Sequence, residues 1–274
     1  MHPFEHFDYL RRQLDKIDPS YRKTHKKTNV GVVMGNLEVL FFDVLGTVVD
    51  WRGSIAAEVK PFLARYAAAE IDAEDFADAW VGRYDASVEA VRAGNRPFVT
   101  LDLLNLENLK ETLEAFGLTR VKMDQADLHH LNLAWHRLQP WPDSAAGISR
   151  LKKHFIVSPL SDGHTRLMIN VARHGKLLWD TVLGADVWHS YKPMPQVYVR
   201  ACELLGVAPG NAMLIAAHDY DLNAARNCGL KTGYVTRSHA NDPSKPAYSP
   251  LPNNWDCEAS DLLGIADILL KGRS

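Results

Sequence analysis

Leu37-Glu-Val-Leu-Phe-Phe42 is a short apolar run that stops at an acid, Asp43. It is rich in strand formers, too short for a free-standing helix, and does not alternate. Such a run reads as a parallel strand buried on both faces. Similar runs recur at residues 155–157, 181–183, 213–217 and 232–235, with helical patterns such as 164–174 and 196–205 between them. Strand–helix alternation of this kind specifies a parallel sheet covered by helices on both faces, an α/β fold.

One stretch breaks the alternation. Residues 54–138 hold several helical segments and no clear strand, the longest being 68–93 and 101–116. Trp141-Pro-Asp143 then punctuates the return to the α/β pattern. We expect an N-terminal extension (1–36), a Rossmann-like core (37–53 and 144–274) and an all-helical insertion (54–143). Within the extension, Phe7, Leu10 and Leu14 are spaced for a short amphipathic helix, and Tyr21-Arg-Lys-Thr-His-Lys-Lys27 is basic. That arm either packs on the body or contacts a partner or an anionic surface; Met34 is an alternative start. Residues 240–255, with four prolines, read as a loop, and 259–271 as a final helix.

Composition narrows the partners. The formal net charge of −2 over 274 residues gives no basic excess for nucleic acid or an anionic membrane. Three widely spaced cysteines, Cys202, Cys228 and Cys257, argue against a disulfide framework or a zinc site and fit a reducing compartment. No apolar run approaches the roughly 20 residues that span a bilayer. The N-terminus carries acids where a signal peptide needs an apolar stretch. The expectation is a cytoplasmic protein with no membrane partner.

Ligands of open α/β sheets bind at the carboxyl ends of the strands. The polar residues there are Asp43 with Thr47, then Ser161 and Asp162, then Lys192, then His218, Asp219 and Asp221. A lone strand-end Asp or Ser is usually a helix cap, and a Lys before Pro is usually solvated. Four groups in register and in this order point to a site instead.

This set resembles the haloacid dehalogenase superfamily. Asp43-Val-Leu-Gly-Thr47, Ser161, Lys192 and Ala217-His-Asp-Tyr-Asp221 match its four motifs, from about Leu37 to the C-terminus. The helical insertion stands where that superfamily carries its cap domain. Phosphatases of the superfamily carry a second Asp two residues after the nucleophile, where this chain has Leu45, which cannot transfer a proton. They also use a Mg²⁺-ligating acid four residues before the last motif Asp, where this chain has Ala217. The L-2-haloacid dehalogenase branch is similar in both respects. Its wording also looks like Asp50-Trp-Arg-Gly-Ser54, Ala134-Trp-His-Arg-Leu138, Leu160-Ser-Asp-Gly163 and Tyr191-Lys-Pro193.

The resemblance implies a hydrolase that takes a short 2-haloacid to a 2-hydroxy acid, without metal or cofactor, as a homodimer. Asp43 would attack C2 and become an ester, and Lys192 would keep Asp43 ionised. Thr47 and Ser161 would donate hydroxyls, Asp221 would hold Lys192, and His218 would either handle the hydrolytic water or structure its loop. Leu45, Trp51, Arg83, Asp162 and Tyr198 would line the substrate site, although Tyr198 is equally readable as a core tyrosine. Trp80, Phe98 and Trp141 are further candidates for its apolar wall.

Three positions depart from the pattern. Members usually carry an Arg after the Trp that matches Trp80, to accept the halide; here it is Val81. Arg83 lies about 200° further round a helix, so it serves only if the helix shifts or its side chain wraps back. Arg92 and Arg96 are further cap candidates. The usual Ser-Asn-Gly and His-Asn are here Ser161-Asp162-Gly163 and His218-Asp219. These extra acids sit near a site meant for two anions; each either points outward or pairs with a cation. Two other functions stay open: a Mg²⁺-dependent phosphatase or phosphonate hydrolase, and a catalytically degenerate binding protein.

Overall fold

A computed structural model describes residues 36–118, 121–237 and 255–272. The expected N-terminal helix and basic arm, and most of the proline-rich loop, lie outside the described residues.

In chain order the strands are β1 (Val39–Phe42), β2 (Val49–Asp50), β3 (Gln139–Pro140), β4 (Ile156–Pro159), β5 (Ala212–Ala216), β6 (Lys231–Val235) and β7 (Cys257–Ala259). The helices are α1 (Trp51–Arg65), α2 (Ala73–Val81), α3 (Tyr84–Arg92), α4 (Leu101–Ala115), α5 (Gln125–Asn132), α6 (Ser144–Leu151), α7 (Thr165–Gly175), α8 (Pro195–Leu204), α9 (Asp219–Asn227) and α10 (Leu262–Leu270).

Five strands form one parallel sheet in the order β4-β1-β5-β6-β7. Central strands β1 and β5 are buried along their whole length, which is why their sequences are continuously apolar. Val39 pairs with Ile156 on one side and Ala212 on the other. The chain leaves β1 toward β4 on one flank and returns through β5 on the other. That reversal of strand order opens a crevice at the carboxyl end of β1.

Between β1 and β4 runs the cap, helices α1 to α5. Its two connections to the core lie side by side as a short antiparallel ladder, Val49 opposite Pro140 and Asp50 opposite Gln139. Asp50 caps α1 by accepting from Gly53 N–H at 3.0 Å, so the helix begins three residues before the expected boundary at 54. Asp72 and Asp124 cap α2 and α5 in the same way. The predicted helix 68–93 is two helices, with the break at Gly82 and Arg83.

Residues 181–183 do not form a strand. Only Leu183 makes a bridge, to Leu160 beside β4. The carboxylate of Asp180 accepts Val157 N–H at 3.0 Å, a donor a further strand at that edge would have used. At Gly184 the chain passes so near Thr165 N that a Cβ would lie 2.2 Å away, which turns it out of the sheet. Sequence reading also missed β7 and the β2–β3 ladder, which are too short to carry a periodicity. All three cysteines are free thiols. Among the described residues no helix is long and apolar enough to cross a membrane.

Candidate active site

β1 delivers Asp43 to the edge of the sheet, and the chain then folds back. Val48 and Val49 N–H both donate to Val44 O, at 2.9 and 3.1 Å. Gly46 stands at the tip with φ +86°, and a Cβ there would lie 3.2 Å from the His218 ring and 3.7 Å from Trp51 Cδ1. The turn returns Thr47 Oγ1 to Asp43 Oδ2 at 2.6 Å. Ala217 N–H donates to that same hydroxyl at 2.8 Å, so the hydroxyl's own proton is committed to Asp43. Leu45 packs its side chain against the apolar core.

Lys192, from the loop before α8, enters between two carboxylates. Its Nζ donates to Asp43 Oδ1 at 3.0 Å and to Asp221 Oδ2 at 2.6 Å. Tyr198 OH donates to Asp221 Oδ1 at 2.6 Å. Lys192, Asp221 and Tyr198 are fully buried, so Tyr198 holds Asp221 from behind rather than lining the crevice. His218 Nδ1 lies 3.0 Å from Asp43 Oδ2, its ring partly open to solvent.

Burial pushes the Asp43 carboxyl up. The Lys192 ammonium and the donors on His218 and Thr47 outweigh it and hold Asp43 well below the usual carboxylate range. Burial likewise pushes Lys192 down, but the Asp221 and Asp43 carboxylates outweigh it and raise the ammonium above the ordinary lysine value. Asp43 Oδ2 accepts two bonds and Oδ1 one, so Oδ1 keeps a lone pair directed away from the protein donors.

The loop after β4 supplies Ser161 and Asp162, both buried. Ser161 Oγ accepts Gly163 N–H at 3.1 Å and so shapes this loop, with no hydrogen bond to Asp43. Asp162 neither points outward nor takes a side-chain cation as its hydrogen-bond partner. Its Oδ1 accepts Lys192 N–H at 2.7 Å, and its Oδ2 accepts the hydroxyl of Tyr84, which belongs to the cap. Burial pushes its carboxyl up to about 6, against the pull of Lys192 and of the Tyr84 hydrogen bond. Asp219 is half-exposed, with one carboxylate oxygen buried and without a partner.

Arg83 does not reach the crevice. Its guanidinium turns along the cap to α4, donating to Glu111 O at 3.2 Å with Nε 3.4 Å from the Glu111 carboxylate. Arg83 stands between α2 and α3, and its side chain does not wrap back to the place of the Arg that Val81 replaces. Arg96 is held by Glu107 in a bidentate pair at 2.7 and 2.9 Å. Arg92, 3.7 Å from the Glu89 carboxylate, is a cap cation near enough for its charge to act on Asp162, Tyr84 and Tyr191. Trp80 is cap core, its Nε1 donating to Asn105 O at 2.8 Å. Phe98 stacks on His189 at 5.3 Å, and Trp141 donates to Gly46 O at 3.2 Å.

Two residues were not anticipated. Tyr84 lies four after Trp80, a spacing that hinted only at a shared helix face. Arg237, just past β6, donates from Nε to Thr47 O at 2.8 Å and grips Asp143 at 2.7 and 2.9 Å, which anchors the Thr47 turn.

The family model for haloacid dehalogenase-like hydrolases matches residues 37–229. The chain is 30% identical over 172 residues to (S)-2-haloacid dehalogenase 1 of Pseudomonas sp. (strain CBS-3), covering 61% of this chain and 71% of that one. It superposes on the defluorinating L-2-haloacid dehalogenase Rha0230 with a TM-score of 0.78 at 41% identity, covering 85% of this chain and 95% of the other. With the L-2-haloacid dehalogenase PA0810 the TM-score is 0.79 at 40% identity, covering 86% and 100%. Matched over most of its length in sequence and in fold, with a parallel sheet, a helical cap and four polar strand-end groups, this chain belongs to the haloacid dehalogenase-like hydrolase family, in the branch of the L-2-haloacid dehalogenases.

Proposed function

We propose that this protein hydrolyses short 2-haloalkanoic acids to 2-hydroxy acids through an ester on Asp43, without metal. The observation that carries this reading is the state of Asp43: ionised by Lys192, saturated at Oδ2, open at Oδ1, with Leu45 rather than an acid two residues on. Such a carboxylate is a nucleophile with no partner acid for a poor leaving group, so it suits a substrate whose leaving group departs as a stable anion.

In the first step Asp43 Oδ1 attacks C2, the carbon–halogen bond breaks with its electron pair leaving as halide, and C2 inverts. In the second, water attacks Cγ of the ester. The carbonyl–oxygen bond breaks, the 2-hydroxy acid leaves, and Asp43 is restored carrying one oxygen from water. The net reaction releases one halide and one proton. His218, against the reacting carboxyl, serves the second step as the base or orienter of water. Thr47 and Lys192 hold Asp43 for attack, Asp221 and Tyr198 hold Lys192, and Ser161 shapes the loop that faces the substrate. Leu45 and Trp51 contribute apolar wall. Arg92 takes the role first considered for Arg83, as the cap cation facing the departing halide or the substrate carboxylate. Asp221 is occupied by Lys192 and Tyr198, and Ala217 offers no ligand, so this donor set is poor for Mg²⁺.

The test is halide release from 2-chloro- and 2-bromopropionate, with and without chelator, for wild type and Asp43→Asn. A single turnover in ¹⁸O-water follows, with mass spectrometry of the Asp43 peptide. Chelator-resistant halide release with label in Asp43 is expected. Phosphate release that requires Mg²⁺, with no halide release, would sink this reading.

A further inference from the structure

A second cluster of ionisable side chains lies at the seam between cap and core, and the dehalogenation chemistry does not use it. Asp102 is in the first turn of α4, His136 in the short turn Leu133–Arg137 that ends the cap, and His164 immediately before α7 in the core. Asp102 Oδ1 is 2.8 Å from His136 Nε2, and Asp102 Oδ2 is 3.5 Å from His164 Nε2. One ligating atom from each of the three lies within 4.8 Å of the others. His136 is 6% exposed and His164 7%, and the rings meet edge-on at 5.9 Å.

Three features separate this cluster from an ordinary hydrogen-bond network. Asp43, Asp143 and Asp221 each hold a lysine or arginine, whereas among the described residues Asp102 meets imidazoles and no Lys or Arg. His164 turns Nε2 toward Asp102, and its buried Nδ1 has no hydrogen-bond partner, so no second hydrogen bond fixes that ring's tautomer. The spacing also fits a metal. Bonds of about 2.0–2.1 Å in a tetrahedral site set ligand atoms about 3.3 Å apart; the two Asp102 oxygens stand 2.8 and 3.5 Å from the two Nε2 atoms, and one ligating atom from each residue lies within 4.8 Å of the others, so a modest contraction brings them to that spacing.

We propose that Asp102, His136 and His164 bind a divalent transition ion of the zinc type, which clamps the cap onto the core. Two imidazoles and one carboxylate are a borderline donor set that suits Zn²⁺ and the later first-row ions rather than Mg²⁺. Three protein ligands leave a fourth position for water. Asn170 Nδ2 lies 2.9 Å from His136 Nδ1. With Nε2 on the metal, Nδ1 carries the proton, and the amide turned over presents its oxygen to accept it. A cavity of about 290 Å³ lined by Leu133, His136, Arg137, Asn170, Arg173 and His174 opens beside His136.

The experiment uses metal-stripped, tag-free full-length protein, titrated with Co²⁺ and followed by its visible absorption, and with Zn²⁺ followed by thermal denaturation. We expect one Co²⁺ per chain and a Tm raised by Zn²⁺. Asp102→Asn and His164→Gln should each weaken uptake at least tenfold. Asp43→Asn should bind as wild type, which separates this cluster from the strand-end carboxylates. Far-UV circular dichroism of the apo variants checks their folding, and either folded variant suffices. No saturable uptake by wild type, uptake retained in a folded cluster variant, or uptake lost in Asp43→Asn would each overturn the proposal.

Discussion

Around Asp43 the polar contacts come from the core alone, whereas at the seam each contact takes one partner from the cap and one from the core. Thr47, Lys192 and His218 all bond Asp43; Ala217 bonds Thr47, Asp221 bonds Lys192, and Tyr198 bonds Asp221. Removing one member therefore strands others in a buried setting. At the seam, Tyr84 meets Asp162, Tyr191 meets Val99 O, and Phe98 stacks on His189. A nucleophile must be held before its substrate arrives, so redundancy is useful there. A cap must open to release product, and contacts that break one at a time allow it.

This contrast can be broken or sharpened by substitution. Asp43→Asn should lower halide release at least ~10³-fold, because the amide keeps the geometry and loses the nucleophile. Its check is single-turnover kinetics beside a matching circular dichroism spectrum. Lys192→Met leaves Asp43 and Asp221 buried without their cation, and should cost about 3–5 kcal/mol of stability together with turnover, measured by urea denaturation.

Asp162→Asn tests the seam by pH. The folded carboxyl at about 6 lies above its ordinary 3.8. A raised acid binds its proton better in the folded state, so its stabilisation is full below the ordinary value and is lost as pH rises through about 6. The wild type should therefore lose about 2 kcal/mol between pH 4 and 7 from this group, and Asp162→Asn should not. KM for the anionic substrate should rise across the same window in wild type only, because the new negative charge opposes binding.

Tyr84→Phe removes one donor from that carboxylate and should cost about 1.5–3 kcal/mol at pH 8, with less lost at pH 5, where the group is protonated. Equal losses at both values would separate Tyr84 from Asp162. Arg83→Ala should be the mildest change, since a half-exposed pair with Glu111 is worth about 0–1 kcal/mol, with kcat/KM altered less than about twofold. Arg92→Ala, in contrast, should raise KM. If Arg83→Ala is the one that raises it, the cap closes differently from the arrangement described here.

Much of the core site was legible in the residues alone. A parallel sheet buries continuous apolar runs, so the first polar residue after each run marks the same edge, which is how Asp43, Thr47, Ser161, His218 and Asp221 are found. Lys192 was assigned to the end of a strand at 181–183 that does not exist. It arrives from a loop, and the resemblance identified it where the strand pattern could not. Arg83 was considered as a stand-in for the Arg that the resemblance places after Trp80, and it stands between two helices, turned to Glu111.

Asp162 marks the division most clearly. Its sequence position showed an acid where an amide was expected, but not its fate. That fate depends on Tyr84, 78 residues away, and on how the cap docks. By itself the sequence determined strands β1, β4, β5 and β6, the helical insertion, the place of Asp43 at the sheet edge and the missing acids at Leu45 and Ala217, because those follow from local pattern and chain order. The tertiary structure alone decided which cap side chains meet the core, what neutralises Asp162, and that Asp102, His136 and His164 converge. Such contacts join segments that no local period relates.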